Sequence, residues 1–215
     1  LEGVIAKKVD TLDEIFRTLD DGKIPVIVDP RAEIVEKISP NVVVDAIMAK
    51  KNIGTKITDA PIVIGLGPGF QAVVDVHAII ETNRGHNLGR VIYHGKTEKN
   101  TGIPMSVQGY TVERVMRAPT DGIFTSIRKI GDLVEKGEEV GRVDKLSIAS
   151  LISGVIRGLL KNGLAVRKGD KIGDVDPRRV PEYCFTISDK ARAIGGGVLE
   201  AILSLQRKSN QKIAS

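Results

Sequence analysis

Residues Gly122-Ile-Phe-Thr-Ser-Ile-Arg-Lys-Ile-Gly-Asp-Leu-Val-Glu-Lys-Gly-Glu-Glu-Val-Gly-Arg-Val-Asp144 recur in altered form as Gly154-Val-Ile-Arg-Gly-Leu-Leu-Lys-Asn-Gly-Leu-Ala-Val-Arg-Lys-Gly-Asp-Lys-Ile-Gly-Asp-Val-Asp176. The two stretches are 23 residues long and align without a gap at an offset of 32. Identical residues stand at nine aligned positions. This similarity indicates an internal duplication, so the fold of this region is built from two related halves. The identical pairs are Gly122/Gly154, Lys129/Lys161, Gly131/Gly163, Val134/Val166, Lys136/Lys168, Gly137/Gly169, Gly141/Gly173, Val143/Val175 and Asp144/Asp176.

Each copy predicts a short strand, a glycine turn, a Val-x-Lys-Gly turn and a second short strand. One copy alone cannot bury both faces of its strands, whereas two copies related by a pseudo-twofold axis can interlock into a small sandwich. The segments Ala118-Pro-Thr-Asp-Gly122 and Gly131-Asp-Leu-Val-Glu-Lys-Gly137 resemble the biotinyl/lipoyl-type barrel-sandwich hybrid. We therefore expect an all-β barrel-sandwich hybrid domain over residues 113–178.

The segment that joins the two copies, residues 144–153, lacks the Met-Lys-Met and Asp-Lys-Ala motifs of covalent carrier domains. Lys145 has two interpretations, an attachment point for a swinging arm or a solvated turn lysine, and the missing motif favours the second.

Residues 1–112 alternate between strand-like and helix-like stretches, which predicts an α/β domain with a parallel, Rossmann-like sheet. The helix over residues 11–19 has Thr11 as its predicted N-cap and Leu12, Ile15, Phe16 and Leu19 on one face. The apolar runs 24–28, 42–47 and 61–65 read as buried parallel strands. Alternation over 73–82 and a returning stretch at 88–93 predict a β-hairpin. Residues 179–215 are expected to form a C-terminal helix and tail, and Gly195, Gly196 and Gly197 within it predict close contact with another backbone or a ligand.

Composition narrows the classes of function. The chain has 215 residues, 41% hydrophobic and 3% aromatic, with a formal charge of +5. Because few aromatic side chains could stack on bases, nucleic acid is not expected as a partner. The sequence contains no apolar run of about 20 residues, so no membrane partner is expected either. The single cysteine, Cys184, is predicted to be a buried, inert thiol.

Three predicted loops carry residues suited to an anionic ligand. Gly65, Gly67 and Gly69 follow a parallel strand, where backbone N–H groups can approach a phosphate, although a plain tight turn fits the same residues. Asp45, Lys51 and Asn52 follow another strand, and ligands collect at the carboxyl ends of parallel strands; a basic helix end is the alternative. Arg84 and His86 lie in a glycine-containing turn that suits an anionic partner.

A fourth group, Asp75, His77 and Glu81, falls on one side of the predicted hairpin strand. Carboxylates and an imidazole at such spacing could bind a metal or carry out acid/base chemistry. The more economical interpretation is a solvated strand face. We therefore assign neither catalytic nor metal-binding residues.

Six motifs are spread over nearly the whole chain: Val44–Thr55, Gly65–Phe70, Asp75–Thr82, Arg84–Arg90, Asn100–Pro104 and Ile187–Ala201. Together they resemble the YqeB-type proteins of the selenium-dependent molybdenum hydroxylase system. The resemblance implies a cytoplasmic accessory protein that helps to mature xanthine-dehydrogenase-like enzymes carrying a molybdopterin cofactor. It also implies a Gly-rich strand-turn-helix ahead of Leu1, which this sequence lacks, so an N-terminal truncation is expected.

These observations lead to one hypothesis and one alternative. The hypothesis is a maturation factor that binds an anionic cofactor or intermediate, with molybdopterin dinucleotide as the candidate cofactor. Its expected partners are a molybdenum hydroxylase or the proteins that assemble its cofactor, and a homo-oligomer is left open. The alternative is a metal- or acid/base-dependent enzyme acting on a phosphorylated or selenium-containing small molecule.

Overall fold

The computed structural model describes residues 1–100, 102 and 104–213, which divide into two compact units. The first unit comprises Leu1, residues 3–100 and residues 188–213, and the second comprises Glu2, residue 102 and residues 104–187. The C-terminal segment from Ser188 onward is therefore grouped with the α/β region rather than standing apart. No helix among the described residues is both long and apolar enough to cross a bilayer.

The first unit contains six strands and three helices, a mixed α/β arrangement that includes the expected C-terminal helix. Its main sheet has the order β3-β4-β5-β6; the first three strands are parallel and β6 is antiparallel to β5. Strands β1 and β2 form a separate parallel pair. The strands are β1 (Ala6–Lys8), β2 (Ile24–Val26), β3 (Val42–Asp45), β4 (Ile62–Leu66), β5 (Ala78–Ile80) and β6 (Val91–Ile92), and the helices are α1 (Leu12–Asp20), α2 (Ile34–Ile38) and α3 (Asp189–Ile213).

The main sheet has apolar cover on both faces. On one face, Ile62, Ile64 and Ile80 pack against α3 through Ala201 and its apolar neighbours. On the other face, Val63 and Ile79 pack against the segment that contains Phe70. Burial on both faces explains why β4 reads as a continuous apolar run instead of an alternating one.

Helix α1 begins as predicted, with a capping box in which Thr11 and Glu14 satisfy each other's backbone N–H groups. The predicted apolar face is only partly used. Ile15 is buried, whereas Phe16 and Leu19 are about half exposed, because the two-stranded β1–β2 sheet is too narrow to cover the whole face.

The predicted strand over residues 73–82 is shorter in the structure. Val73 has a left-handed φ of 73°, and the Asp75 carboxylate accepts the Gln71 N–H, so residues 71–76 form a turn. The strand proper is β5, which still pairs with β6 in the expected antiparallel sense. Alternating polarity matched a strand here although the local hydrogen bonds favour a turn.

The second unit is built from two four-stranded antiparallel sheets of order β11-β10-β8-β13 and β7-β14-β12-β9. Each sheet takes one short strand from the other half of the duplication, since β13 pairs with β8 and β9 pairs with β12. The strands are β7 (Val115–Arg117), β8 (Gly122–Ser126), β9 (Leu133–Val134), β10 (Glu139–Val143), β11 (Leu146–Ala149), β12 (Gly154–Leu159), β13 (Ala165–Val166) and β14 (Lys171–Asp176); 3₁₀ turns lie at Val112–Arg114 and Pro181–Cys184.

Equivalent hydrogen bonds recur in the two halves. Gly131 N–H donates to the Ile156 carbonyl at 2.8 Å, and Gly163 N–H donates to the Phe124 carbonyl at 2.8 Å. The two donors are 32 residues apart, and so are the two acceptors, which is the offset of the sequence repeat. The side chains of Phe124 and Ile156 are fully buried in one shared core. The duplication seen in the sequence is thus a duplication of backbone geometry.

Candidate functional site

The three predicted binding loops follow the carboxyl ends of β3, β4 and β5. Because these strands are parallel, their carboxyl ends meet at one edge of the sheet. The loops that begin at Asp45, Leu66 and Ile80 therefore share that edge. What their side chains do there differs from one loop to the next.

In the loop after β3, the predicted polar residues hold the loop itself. The buried Asp45 carboxylate accepts the Ile47 N–H at 3.0 Å and the Thr55 hydroxyl at 2.5 Å. Asn52 Oδ1 accepts the N–H groups of Gly54 and Thr55, both at 2.9 Å. The side chains of Asp45 and Asn52 are engaged in shaping this loop.

The glycines of the loop after β4 permit close approaches. A Cβ at Gly65 would meet the Phe70 ring at 2.5 Å. Gly67 has a φ of 76° and donates its N–H to the Ile80 carbonyl at 2.9 Å, which occupies that donor. Gly69 has a φ of 120°, and a Cβ there would lie 2.7 Å from the Lys51 backbone. The structure thus brings Gly69 and the backbone of Lys51 together.

The turn after β5 is organised by Glu81 and by helix α3. The buried Glu81 carboxylate accepts backbone N–H groups from Thr82, Asn83 and Glu98 at 2.7–2.8 Å. Arg84 makes two hydrogen bonds with the Asp189 carboxylate, at 2.5 and 2.9 Å, so its charge is partly neutralised. His86 is exposed in this turn.

A cavity of about 380 Å³ opens beside the Gly69 loop. Its charged wall residues are three lysines and two carboxylates. Of the predicted binding residues, Gly69 lines it, whereas Lys51 and Arg84 are not among the lining residues. The residues lining the cavity are Lys50, Pro68, Gly69, Phe70, Gln71, Val74, Asp75, Lys96, Thr97, Glu98, Lys99 and Asn100.

Sequence reasoning missed the three lysines of this wall. Lys50 belongs to a quoted motif, but Lys51 was favoured beside it. Lys96 and Lys99 follow the predicted β-hairpin, in a stretch with no predicted strand or binding loop to mark it. Part of the quoted Asn100–Pro104 motif, at positions 101 and 103, lies outside the described residues.

Lys190, in the first turn of α3, has charged neighbours at this edge. Burial first, and then the positive charges of Lys50 and Arg84, lower the pKa of Lys190, and Glu81 offsets part of this effect.

The residues proposed for a metal or acid/base site have structural partners. His77 Nδ1 accepts the Val63 N–H at 3.0 Å, and burial lowers the pKa of His77. Asp75 accepts the Gln71 N–H at 2.7 Å, and Glu81 is engaged as described above. Within residues 1–100, 102 and 104–213, no group of three or more His, Cys, Asp or Glu side chains is placed to hold a metal ion. The enzyme alternative stays a prediction.

In the second unit, Lys145 is exposed in the turn between β10 and β11. Cys184 is partly buried, and its thiol lies 3.5 Å from the Ile156 carbonyl. Burial raises the pKa of this thiol, which lowers its thiolate fraction and its reactivity.

Comparison with curated proteins gives one strong similarity. The chain is 49% identical over 208 residues to an Escherichia coli (strain K12) protein described as "Uncharacterized protein YqeB". The aligned region is 97% of this chain. This similarity supports the resemblance of the chain to the YqeB-type family. The chain spans 38% of the length of that relative. No protein-family model matches the chain.

Solved structures give weaker likenesses. An aspartoacylase family protein from Mesorhizobium loti aligns with a TM-score of 0.28 at 14% identity, covering 38% of this chain and 27% of that one. The ectoine utilization protein EutE (DoeB) from Ruegeria pomeroyi gives 0.28 at 16%, covering 38% and 26%. A succinylglutamate desuccinylase/aspartoacylase from Rhodobacter sphaeroides gives 0.27 at 23%, covering 40% and 29%.

Proposed function

We propose that the protein is an accessory factor in the maturation of selenium-dependent molybdenum hydroxylases, and that its first unit binds an anionic cofactor or intermediate. The observation that carries the binding part of this proposal is the cavity beside Gly69, with lysines 50, 96 and 99 in its wall. It lies at the carboxyl edge of the parallel sheet, where ligands of such sheets collect.

The residues at this edge fit the anionic part of molybdopterin dinucleotide. Lys51 and Gly69 are in backbone contact, and Arg84 and His86 lie in a turn at the same edge. The cavity volume of about 380 Å³ is within the range of small-molecule sites. When bound, the dinucleotide would supply the molybdenum-coordinating pterin; the chain's own residues bind and orient its charged portion.

The proposal includes finer assignments of fold, partner and location. The parallel sheet is taken as a Rossmann-like domain, and the duplicated unit as a barrel-sandwich hybrid without a carrier lysine motif. That unit is the part proposed to dock a molybdenum hydroxylase or a cofactor-assembly protein in the cytoplasm. Support comes from the strand exchange between the two halves and from the similarity to a YqeB-type protein.

Two measurements test the proposal. Isothermal titration with molybdopterin dinucleotide should show saturable binding that weakens in the Lys51→Ala, Arg84→Ala double variant. Maturation of a molybdenum hydroxylase should fall in a strain that lacks the full-length protein and recover when it is restored. Unchanged hydroxylase activity in that strain would refute the accessory role, and unchanged affinity in the double variant would remove these two residues from the site.

A further inference from the structure

We infer that the cavity beside Gly69 binds the diphosphate group of a phosphorylated organic molecule through Lys50, Lys96 and Lys99. This inference rests on the proposed anionic ligand and names its chemical class. It also assigns the binding to a set of lysines different from the Lys51, Arg84 and His86 predicted from the sequence.

The first step is the charge of the wall. Lys50, Lys96 and Lys99 are exposed, and none of them forms an ion pair within the described part of the chain. Their ammonium groups are therefore available to a ligand. An anion that meets all three gains several charge-assisted hydrogen bonds at once.

The second step concerns the two carboxylates of the wall. Asp75 accepts the Gln71 N–H, and Glu98 accepts the Asn83 side-chain amide at 2.5 Å. Both carboxylates thus have hydrogen-bond donors of their own close by. The lysines keep their charge for a ligand, and the wall as a whole carries an excess of one positive charge.

The third step is the number of separate cations in the wall. Arginine and lysine both bind phosphate, and lysine does so as a point charge. Among the described residues, three lysines line the wall. Three separate cations match an anion whose charge is spread over two phosphates.

The fourth step is size. Pro68, Phe70 and Val74 supply an apolar part of the same wall. The volume of about 380 Å³ exceeds what an inorganic ion fills, since cavities of this size take small organic ligands. Thr97, also in the wall, has a buried Oγ1 with no hydrogen-bond partner among the described residues.

The experiment is a calorimetric titration of the full chain with inorganic pyrophosphate, with acetate as the carboxylate comparison. We expect pyrophosphate to bind and acetate not to bind, with an affinity that falls as salt is added. The Lys50→Ala, Lys96→Ala double variant should bind pyrophosphate at least about tenfold more weakly. The matched control is Lys56→Ala, which removes an exposed lysine of the same unit outside the cavity and should bind as the unchanged chain does.

A further variant tests the sign of the charge. Asp75→Asn keeps an oxygen that can accept the Gln71 N–H but removes a negative charge from the wall. It should bind pyrophosphate more tightly, whereas a cationic ligand would be bound more weakly.

The outcomes separate this inference from the proposed function. Equal pyrophosphate affinity in the double variant and the control would overturn the inference. Dinucleotide binding that pyrophosphate does not compete with would also overturn it, and would leave the proposed function standing. Pyrophosphate binding lost in the double variant, together with unimpaired hydroxylase maturation by that variant, would uphold the inference and show that the accessory role does not depend on this binding.

Discussion

Asp144 and Asp176 occupy equivalent positions in the duplicated unit but have different surroundings. Asp176 is fully buried, with Arg157 at 2.9 Å and Arg178 at 2.5 Å from its carboxylate. Asp144 is exposed and accepts the Ile123 N–H at 3.0 Å. Equivalent positions of the repeat thus hold a buried ion-pair centre in one half and an exposed turn residue in the other.

Replacing Asp176 with asparagine should destabilise the protein by roughly 2–4 kcal/mol, because two arginines lose a buried counter-charge. Asp144→Asn is the matched control, and it should cost no more than about 1 kcal/mol because one hydrogen bond is affected. Urea denaturation of both variants measures the free energy of unfolding. Equal losses of unfolding free energy in the two variants would show that the ion pairs of Asp176 add no stability beyond that of the turn hydrogen bonds.

The same carboxylate gives a dependence of stability on pH. Burial alone would raise the pKa of Asp176, but hydrogen bonds and charge from Arg178, with a hydrogen bond from Arg157, lower it from 3.8 to about 2. The unfolded chain therefore binds the proton first as the pH falls. The stabilisation by Asp176 is fully present above about pH 5 and is lost between about pH 4 and pH 2.

Urea denaturation of the unchanged chain and of Asp176→Asn at several pH values checks this dependence. The difference in free energy of unfolding should stay constant above about pH 5 and shrink towards pH 2. Taking the difference removes the contribution of the other acidic groups, including the exposed Glu135 and the half-buried Glu139, whose pKa values are also lowered to about 2. A difference that grows on acidification would contradict the assignment.

The residue types in the three loops predicted candidate binding positions. They did not show which of these side chains already form hydrogen bonds within their own loop. Asp45 and Asn52 have the right chemistry and the right position, yet their oxygens are used by backbone and hydroxyl donors of the same loop. Lys50 and Lys51 are adjacent in the sequence, yet Lys50 lines the cavity whereas the backbone of Lys51 lies against Gly69. Such contacts depend on three-dimensional packing, which a residue pattern does not encode.

The three glycines of helix α3 differ in their surroundings, although glycine in a helix costs about 1 kcal/mol relative to alanine at each position. A Cβ at Gly197 would collide with the Gly89 carbonyl. A Cβ at Gly196 would meet open space. The close backbone contact predicted from the sequence is therefore present at Gly197, whereas Gly195 and Gly196 have no neighbour within 4 Å of the position of an added Cβ.

This difference predicts opposite effects of one substitution at adjacent positions. Gly196→Ala should stabilise the protein by about 0.5–1 kcal/mol through helix propensity. Gly197→Ala should destabilise it by about 1–3 kcal/mol, because α3 must move away from the loop that holds Gly89. Thermal unfolding of the two variants compares them directly. Stabilisation by both changes would show that α3 is not held at this distance.

Elements defined by long apolar patterns could be predicted, and those defined by local hydrogen bonds could not. The run 61–65 identifies β4 because a strand buried on both faces needs apolar residues at every position. The stretch 73–82 has a strand-like alternation, but the Asp75 carboxylate and the left-handed Val73 form a turn instead. Periodicity reports burial, while a turn is decided by individual side-chain acceptors.

At the scale of the whole chain, the duplicated unit was predictable because its information is local. The paired strands of its two four-stranded sheets lie within residues 115–176, and the sequence repeat predicts them. The other unit is discontinuous, since it combines residues 3–100 with 188–213. The amphipathic pattern of a helix predicts that its apolar face packs against another element, but the pattern does not identify which sheet that element is.

This division predicts that the two units respond differently to loss of α3. A chain ending at Ile187 lacks the helix that covers Ile62, Ile64 and Ile80, so the main sheet exposes a whole apolar face and should lose its fold. The duplicated unit keeps its complete core around Phe124 and Ile156 and should stay folded. Amide hydrogen exchange should therefore show lost protection in β4 and retained protection in β8 and β12.

A chain ending at Lys208 is the control, because it retains the apolar contacts of α3 up to Leu205 and should protect β4 normally. Protection of β4 in the chain ending at Ile187 would mean that the sheet is stable without α3. It would contradict the prediction that residues 3–100 need residues 188–213 in order to fold.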